Sequence, residues 1–365
     1  MQRSIVPVLL SVLLSVFVVT PSTVALGQEE ERVTFVSSPD FFNFDVPNPM
    51  PEWEDAIDWY LTQVKAEDPD YFLVAGDLVD GRWHNMEESV EHMGLVYYED
   101  WKRRMDEHDL NPMPAIGDHE MGDDPWPGDK AKLAPTFKET FRRHFDLPGE
   151  QYQGDEAVAY YVREGNVLFL TVDEYEYRDG DIHTTVSNGQ LEWVETVLDE
   201  QGPKVDFIVV QGHNPVFGNP EATSSSQLMV DGGRDSEFWQ VMKEAGVDLY
   251  LCGEFHALTT NKADGIWQVV HGTSWGRKGH IQSYLVGKSS PDRLEVSIHT
   301  FPFDVKGEQI WNMNKGANGP YDVVRIPKST RQNKPDTAGT ITIKKDGDGE
   351  KQVNRTGLFD NTSCE

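Results

Sequence analysis

Four short apolar runs in this chain each end in glycine followed by an acidic residue or a histidine. They lie within residues 71–81, 114–120, 207–215 and 249–256. An apolar run that stops abruptly at such a pair is typical of a buried parallel strand, and open α/β sheets place their ligands at the carboxyl ends of these strands. One Gly-Asp pair alone is more often an ordinary turn. Four such ends together predict carboxylates and imidazoles gathered at one rim, as in a metal site with more than one ion.

The four polar ends read Gly-Asp, Gly-Asp-His-Glu, Gly-His-Asn-Pro and Gly-Glu-Phe-His, in that order. In this order and at this spacing they resemble the calcineurin-like metallophosphoesterase family, over about residues 32–299. The resemblance implies an α/β fold of four layers, an αββα sandwich in which two stacked mixed β-sheets are flanked by helices. It also implies that the metal site lies at the C-terminal rim of the strands.

The resemblance assigns metal-binding roles residue by residue. The implied ligands of a first ion are Asp40, Asp77 and His256. The implied ligands of a second ion are Asp77, Asp118, His213 and Glu254. Asp77 is therefore expected to bridge two divalent ions.

Two further residues receive roles at the substrate. His119 holds the place of the residue that, in the family, contacts the scissile phosphate and protonates or stabilises the leaving group. We expect Glu120, beside it, to orient the ring. Arg82 stands in a loop at the same rim, where it is placed to bind a phosphate oxygen, although a surface ion pair explains it equally well.

Three positions depart from the family's pattern. The family's first strand ends in Asp-x-His, whereas this chain has Ser38-Pro39-Asp40, so that Asp40 either binds the first ion or caps a turn. Asp118 stands where the family has Asn, and Glu254 where it has His. The implied site then has four carboxylates and two imidazoles, which favours Mn²⁺, Mg²⁺ or Ca²⁺ over Zn²⁺ and leaves iron open.

Two ions about 3.5 to 4 Å apart lower the pKa of a water molecule and stabilise the attacking and leaving oxygens of a phosphate ester. The implied function is a metal-dependent phosphoesterase that hydrolyses phosphomonoesters or phosphodiesters with such a water. The departures leave two alternatives: a binding protein with the same fold and impaired catalysis, or a metal-dependent hydrolase of non-phosphate esters. Retention of His119, which a scaffold does not need, favours the enzyme.

The N-terminal residues 1–27 have a basic start, an apolar centre at residues 5–19 and small residues near the end. This pattern predicts a secretory signal peptide and a secreted or periplasmic protein. An uncleaved membrane anchor is the alternative, but the apolar run is short for a span of about 20 residues. We expect the enzyme domain over residues 32–315 and a C-terminal tail with short strands over residues 316–365, with no transmembrane segment after cleavage.

The charge of the chain limits its partners. It has 32 basic and 62 acidic residues, a formal net charge of −30. Such a charge repels polyanions, so we expect no nucleic-acid binding. The resemblance implies a small phosphate ester as the substrate.

The remaining segments predict the elements around the rim. Apolar residues at helical spacing predict helices over residues 51–67, 87–110, 137–145, 188–200 and 238–245. Later apolar runs at residues 267–271, 281–286 and 294–299 predict strands that complete the second sheet. Residues 173–177 either support the site or face the substrate, or form a solvated loop.

Overall fold

The apolar runs and the helical patterns form the elements of a computed structural model. The structure describes residues 32–40, 51–79, 81, 83, 86–218, 226–271, 281–306, 323–345 and 351–360. The strands are β1 (Thr34–Ser37), β2 (Tyr71–Val74), β3 (Pro112–Pro114), β4 (Glu150–Gln151), β5 (Tyr160–Glu164), β6 (Val167–Thr171), β7 (Tyr175–Arg178), β8 (Asp181–Thr184), β9 (Phe207–Gln211), β10 (Leu249–Cys252), β11 (Thr259–Ala263), β12 (Ile266–Val270), β13 (Ile281–Ser290), β14 (Arg293–Pro302), β15 (Asp304–Lys306), β16 (Val323–Arg325), β17 (Asp336–Lys345) and β18 (Lys351–Gly357). The helices are α1 (Pro51–Ala66), α2 (Glu87–Glu107), α3 (Ala134–His144), α4 (Asn188–Gln201), α5 (Glu237–Glu244) and α6 (Lys328–Arg331). Short 3₁₀ turns occupy Ala131–Leu133, Gly202–Lys204 and Gly233–Asp235.

The strands form two seven-stranded mixed sheets. The first has the order β18-β17-β14-β13-β1-β2-β3, and the second has the order β11-β12-β10-β9-β6-β5-β4. The strands β1, β2 and β3 run parallel in the first sheet, as do β6, β9, β10 and β12 in the second. All five residues of β6 and of β9 are buried, as expected of parallel strands covered on both faces.

Alternate residues of the second sheet face two different cores. In β9, Phe207 and Val209 belong to the core shared with the first sheet, whereas Ile208 and Val210 belong to the core shared with α4 and α5. The two sheets are in direct contact, because the rings of Phe35 in β1 and Phe169 in β6 meet edge to face with centroids 5.2 Å apart.

Helices cover the first sheet as well. Trp59 of α1 packs edge to face on Phe301 of β14, with centroids 4.9 Å apart. The predicted fold, two stacked mixed β-sheets flanked by helices, is confirmed.

The assignment of the later strands to the second sheet is wrong for β13 and β14. Of the three later runs, only the one that forms β12 joins that sheet, where it lies parallel to β10. The strand β13 lies antiparallel to β1, with Gly287 opposite Phe35, so that β13 and β14 extend the first sheet. Hydropathy identifies a strand but not its neighbour, and here the neighbour is about 250 positions earlier in the chain.

The C-terminal strands also join the first sheet. The strand β17 pairs with β14, and its Ile341 and Ile343 are buried in the core. The segment of the predicted tail that forms β17 is therefore a strand of the first sheet. The predicted signal peptide, residues 1–27, lies outside the described residues. Within the described ranges, no helix has the length and apolar character needed to cross a bilayer.

Candidate metal centre

Residues from both sheets meet at the ends of their parallel strands. Asp40, Asp77 and His256 each place one ligand atom within 4.8 Å of the others, and Asp77, Asp118 and His213 do the same. Asp77 belongs to both groups, as a bridging ligand must. Glu254 joins the second group, because its Oε2 lies 3.4 Å from Nε2 of His213.

Four of these candidate ligands have a left-handed backbone. The φ angles are 54° at Asp40, 57° at Asp77, 65° at Glu254 and 48° at His256. Residues other than glycine adopt this conformation infrequently, and such residues cluster at functional sites. The local turn therefore directs each side chain away from its strand and toward the rim.

His213 presents a nitrogen lone pair to the cluster. Its Nδ1 lies 2.8 Å from the carbonyl oxygen of Ala75, and since a carbonyl only accepts, Nδ1 donates. Nε2 then lies 3.4 Å from Oδ1 of Asp77 and 3.2 Å from Oδ1 of Asp118, with Glu254 as the third neighbour. This nitrogen is buried and has no hydrogen-bond partner among the described residues, and the same is true of Oδ1 of Asp118. A neutral imidazole nitrogen facing three carboxylates fits a site for a cation, with the carbonyl fixing the tautomer.

The carboxylates around His213 favour a positive charge at this position. Burial lowers the pKa of the imidazole, but the carboxylates of Asp77, Asp118 and Glu254 outweigh burial and raise the pKa of His213 well above its ordinary value. A cation held among these groups would supply that positive charge in place of a proton, and the ring would then be neutral.

Two carboxylates use one oxygen for the backbone and direct the other inward. Oδ1 of Asp40 accepts the N–H of Glu254 at 3.1 Å, whereas its buried Oδ2 has no hydrogen-bond partner in the part of the chain that the structure describes. Oε1 of Glu254 accepts the N–H of Leu228 at 3.0 Å, whereas its Oε2 faces His213. Burial raises the pKa of Asp40 to about 7, and burial followed by the charge of Asp118 raises that of Glu254. These oxygens suit a divalent cation, because buried carboxylates at this density require a compensating positive charge.

Glu174 supports His213 from behind. Its Oε2 accepts the backbone N–H of His213 at 2.6 Å and that of Asn214 at 2.5 Å, and the hydroxyl of Tyr250 donates to its Oε1. Burial raises the pKa of Glu174 to about 7. Asp173 and Glu174 are both buried, so the solvated-loop reading does not hold for them, and of the other two readings Glu174 fits support of the site.

Glu120 holds the strand-end turns together. Its Oε2 accepts the N–H groups of Asp77 at 2.9 Å and Gly117 at 2.8 Å, and its Oε1 accepts those of Leu78 at 2.8 Å and Val79 at 3.1 Å. Four buried N–H groups of these turns thereby obtain acceptors. That Glu120 also orients the ring of His119 stays a prediction.

His119 lies at the edge of the cluster, next to Asp118. Its N–H donates to Oδ1 of Asp77 at 3.2 Å, and the residue is 5% exposed. Nε2 lies 3.9 Å from Oδ1 of Asp123, and Asp118, His119 and Asp123 form a third close group. Asp123 has no role in the predicted site, although it follows the candidate catalytic histidine by four residues, and this spacing was a signal in the sequence. Arg82 lies outside the described residues.

Comparison with known proteins identifies the family. The sequence profile of the calcineurin-like phosphoesterase family matches residues 50–258. A dimetal phosphatase from Danio rerio has a similar structure, with a TM-score of 0.51 and 15% identity over 73% of this chain and 96% of that one. A purple acid phosphatase from yellow lupin seeds has a TM-score of 0.51 and 14% identity, over 74% of this chain and 52% of the lupin chain.

This chain therefore spans about half the length of the lupin protein. At such identities the likeness to the two structures shows the fold alone. A comparison with curated proteins finds no match. Since the profile covers more than half of its length, the chain belongs to the calcineurin-like phosphoesterase family.

Proposed function

We propose that the protein is an exported phosphoesterase that uses two divalent ions to hydrolyse phosphate esters and prefers diesters to monoesters. The observation that carries this proposal is the position of Nε2 of His213. It faces three carboxylates, one of which, Asp77, is shared with a second group of ligands. Such a shared carboxylate suits a pair of ions rather than one.

The two ions would be held by the residues of the two groups. Asp40, Asp77 and His256 would hold the first, and Asp77, Asp118, His213 and Glu254 the second. Two divalent ions there supply Lewis acidity at the phosphoryl oxygens and a water of lowered pKa. Because the ligands are rich in carboxylate, we propose Mn²⁺, Mg²⁺ or Ca²⁺ rather than Zn²⁺.

His119 would donate a proton to the leaving-group oxygen. Its backbone N–H donates to Oδ1 of Asp77, so the residue is anchored beside the proposed bridging ligand. General acid catalysis of this kind contributes typically about 10² to 10⁴ in rate. Arg82 is proposed to bind a phosphate oxygen, on the sequence alone.

The charge of the site supports the preference for diesters. Asp118 and Glu254 are carboxylates where the family has neutral groups, and both are buried beside the second group of ligands. A phosphomonoester carries up to two negative charges near neutral pH and a diester carries one. The additional carboxylates therefore disfavour the monoester more strongly.

Metal analysis and a substrate comparison test this proposal together. Protein dialysed against each of Mn²⁺, Mg²⁺, Ca²⁺ and Zn²⁺ is expected to bind two ions per chain and to hydrolyse bis-p-nitrophenyl phosphate faster than p-nitrophenyl phosphate, with Zn²⁺ not the best ion. Faster hydrolysis of the monoester, with Zn²⁺ the best ion, would contradict the charge argument. Metal binding without hydrolysis of either ester would favour the binding-protein alternative, which Ser38 supports because it lacks the carboxylate of the family's first-ion motif.

Export is proposed from residues 1–27 alone. N-terminal sequencing of the mature protein should begin close after residue 27. A mature chain that still carries the apolar segment would support the membrane-anchor alternative instead.

A further inference from the structure

Asn214 is a buried polar residue that the proposed mechanism does not use. It follows the candidate ligand His213 directly and is completely buried. Backbone groups hold the turn in which it lies, because the N–H groups of His213 and Asn214 both donate to Oε2 of Glu174. The carbonyl of His213 also accepts the N–H of Gly253 at 2.9 Å. The side chain of Asn214 takes no part in these contacts, so its amide is available for another role.

The side-chain amide of Asn214 is only half satisfied. Its Oδ1 accepts the hydroxyl of Tyr175 at 3.4 Å, whereas its Nδ2 is buried and has no hydrogen-bond acceptor in the part of the chain that the structure describes. A buried donor without an acceptor is destabilising, and such groups are rare in folded proteins. This nitrogen therefore indicates an acceptor that comes from outside the chain.

Tyr175 places the amide of Asn214 on the side of the candidate ligands. Burial raises the pKa of the Tyr175 hydroxyl well above its ordinary value, and the charges of Asp118, Glu254 and Asp77 raise that pKa further. These carboxylates therefore lie near the phenol, whose hydroxyl contacts Asn214. Nδ2 of Asn214 is thus buried beside the groups that would hold the ions.

A phosphoryl oxygen is the acceptor that such a site would receive. The candidate ligands present carboxylate oxygens and imidazole lone pairs, which bind cations and offer no N–H to an anion. His119 is assigned to the leaving group, so it is not available for the other oxygens of the phosphate. Asparagine side chains serve as donors where negative charge develops in a transition state. The amide of Asn214 would supply such a donor without adding a charge.

We propose that Nδ2 of Asn214 donates a hydrogen bond to a non-bridging oxygen of the phosphate, with the hydroxyl of Tyr175 holding the amide in this orientation. This inference rests on the proposed function and assigns a further residue to the binding of its substrate. No covalent bond changes at Asn214. Because the amide binds the phosphate and not the ions, metal content should not depend on it.

Asn214→Ala removes the amide and leaves the backbone contacts of the turn in place. In the protein loaded with a divalent ion, kcat/KM for bis-p-nitrophenyl phosphate should fall about tenfold to a hundredfold, the effect of one hydrogen bond to a charged group. Dimethyl phosphate, a monoanionic diester, is the probe of binding. It should raise the melting temperature of the wild type and raise that of Asn214→Ala clearly less.

A second variant tests the orientation of the amide. Tyr175→Phe keeps the ring that packs on Trp126, with centroids 5.8 Å apart, but removes the hydroxyl that holds Oδ1 of Asn214. The amide can then rotate, so the shift caused by dimethyl phosphate should decrease to a smaller extent than in Asn214→Ala. A shift equal to that of the wild type would contradict this role of Tyr175.

Asn166→Ala is the matched control. Asn166 is a buried asparagine whose Nδ2 has acceptors, since it donates to the carbonyl of Ser290 at 2.9 Å and to Oδ2 of Asp206 at 3.3 Å. This variant should lower the melting temperature of the free protein more than Asn214→Ala does. The shift caused by dimethyl phosphate should remain that of the wild type.

The outcomes separate the two proposals. If Asn214→Ala lowers kcat but leaves the shift caused by dimethyl phosphate unchanged, the amide does not bind the phosphate and the inference is wrong. Loss of bound metal or of the fold in this variant would make the amide a structural group, which also overturns the inference. If the wild type hydrolyses neither nitrophenyl ester with any divalent ion, the proposed function fails, and the shift still decides whether Asn214 binds a phosphate.

Discussion

Gly76 lies directly against the imidazole of His213. A Cβ atom at position 76 would stand 2.3 Å from Nδ1 of that ring, and the glycine has a φ of 83°. The neighbouring carbonyl, that of Ala75, accepts the hydrogen bond that fixes the tautomer of the ring. The turn after β2 therefore fixes both the position and the orientation of a ligand that follows β9.

Gly76→Ala should therefore displace His213 as well as strain the backbone. We expect a clear loss of bound metal, together with destabilisation that exceeds the roughly 1 to 3 kcal/mol of a strained left-handed residue. The measurements are metal content after dialysis and the denaturant midpoint.

Gly180→Ala is the matched control for this variant. Its φ is 88°, and an added Cβ would have no neighbour within 4 Å, so it carries the strain without the collision. Equal metal content in the two alanine variants would show that contact with His213 is unimportant.

The part of the site that the sequence predicts is local. Asp77, His213 and Glu254 each follow their own strand by a few residues, so the motif alone indicates where each side chain emerges. The supporting contacts are not local. Glu174 holds the turn of His213 from 39 positions away, and β13 pairs with β1 across most of the chain. Such contacts follow from sheet pairing, which periodicity does not specify.

Asp77→Ala should abolish the binding of both ions. The residue belongs to both groups of candidate ligands, and no other residue of these two groups does. Metal content measured after dialysis should fall to well below half of the wild-type value. Asp109→Ala, on an exposed carboxylate with a left-handed φ of 51°, controls for loss of an acidic residue from such a turn. Unchanged metal content in Asp77→Ala would make Asp77 an ordinary turn residue.

Asp118→Asn, which restores the residue of the family, should weaken ion binding and shift the substrate ratio toward the monoester. Oδ1 of Asp118 lies 3.2 Å from Nε2 of His213, among the candidate ligands of the second ion. Asparagine keeps an oxygen ligand there but removes one negative charge, which lowers both the attraction for a cation and the repulsion of a phosphate dianion. Metal content after dialysis and the ratio of diester to monoester hydrolysis measure the two effects. Unchanged values of both would contradict the charge argument.

His119→Ala separates catalysis from structure. Turnover should fall at least about a hundredfold, whereas metal content and melting temperature should remain close to the wild type. The loss should be smaller for esters with very good leaving groups, because they need little protonation. If the variant retains full activity against a poor leaving group, His119 is not the general acid.

His271 predicts how stability depends on pH. It is buried, with Nδ1 3.3 Å from the carbonyl of Val269 and Nε2 2.8 Å from the hydroxyl of Ser37. The carbonyl requires Nδ1 to donate, and in the neutral ring Nε2 accepts the hydroxyl proton of Ser37. Burial lowers the pKa of His271 to about 4, below the value of about 6.5 in an unfolded chain.

Between these two values the unfolded state binds more protons, so the contribution of this histidine to folding is present above about pH 6.5 and is lost as pH falls toward 4. From pH 7.5 to pH 5 the loss is about 2 kcal/mol. His271→Gln lacks the titrating group, so its free energy of unfolding should decrease less than that of the wild type over this range, by about that amount. Urea unfolding of both proteins at pH 5 and pH 7.5 provides the comparison. Parallel pH profiles for the two proteins would show that His271 is not held neutral in the folded state.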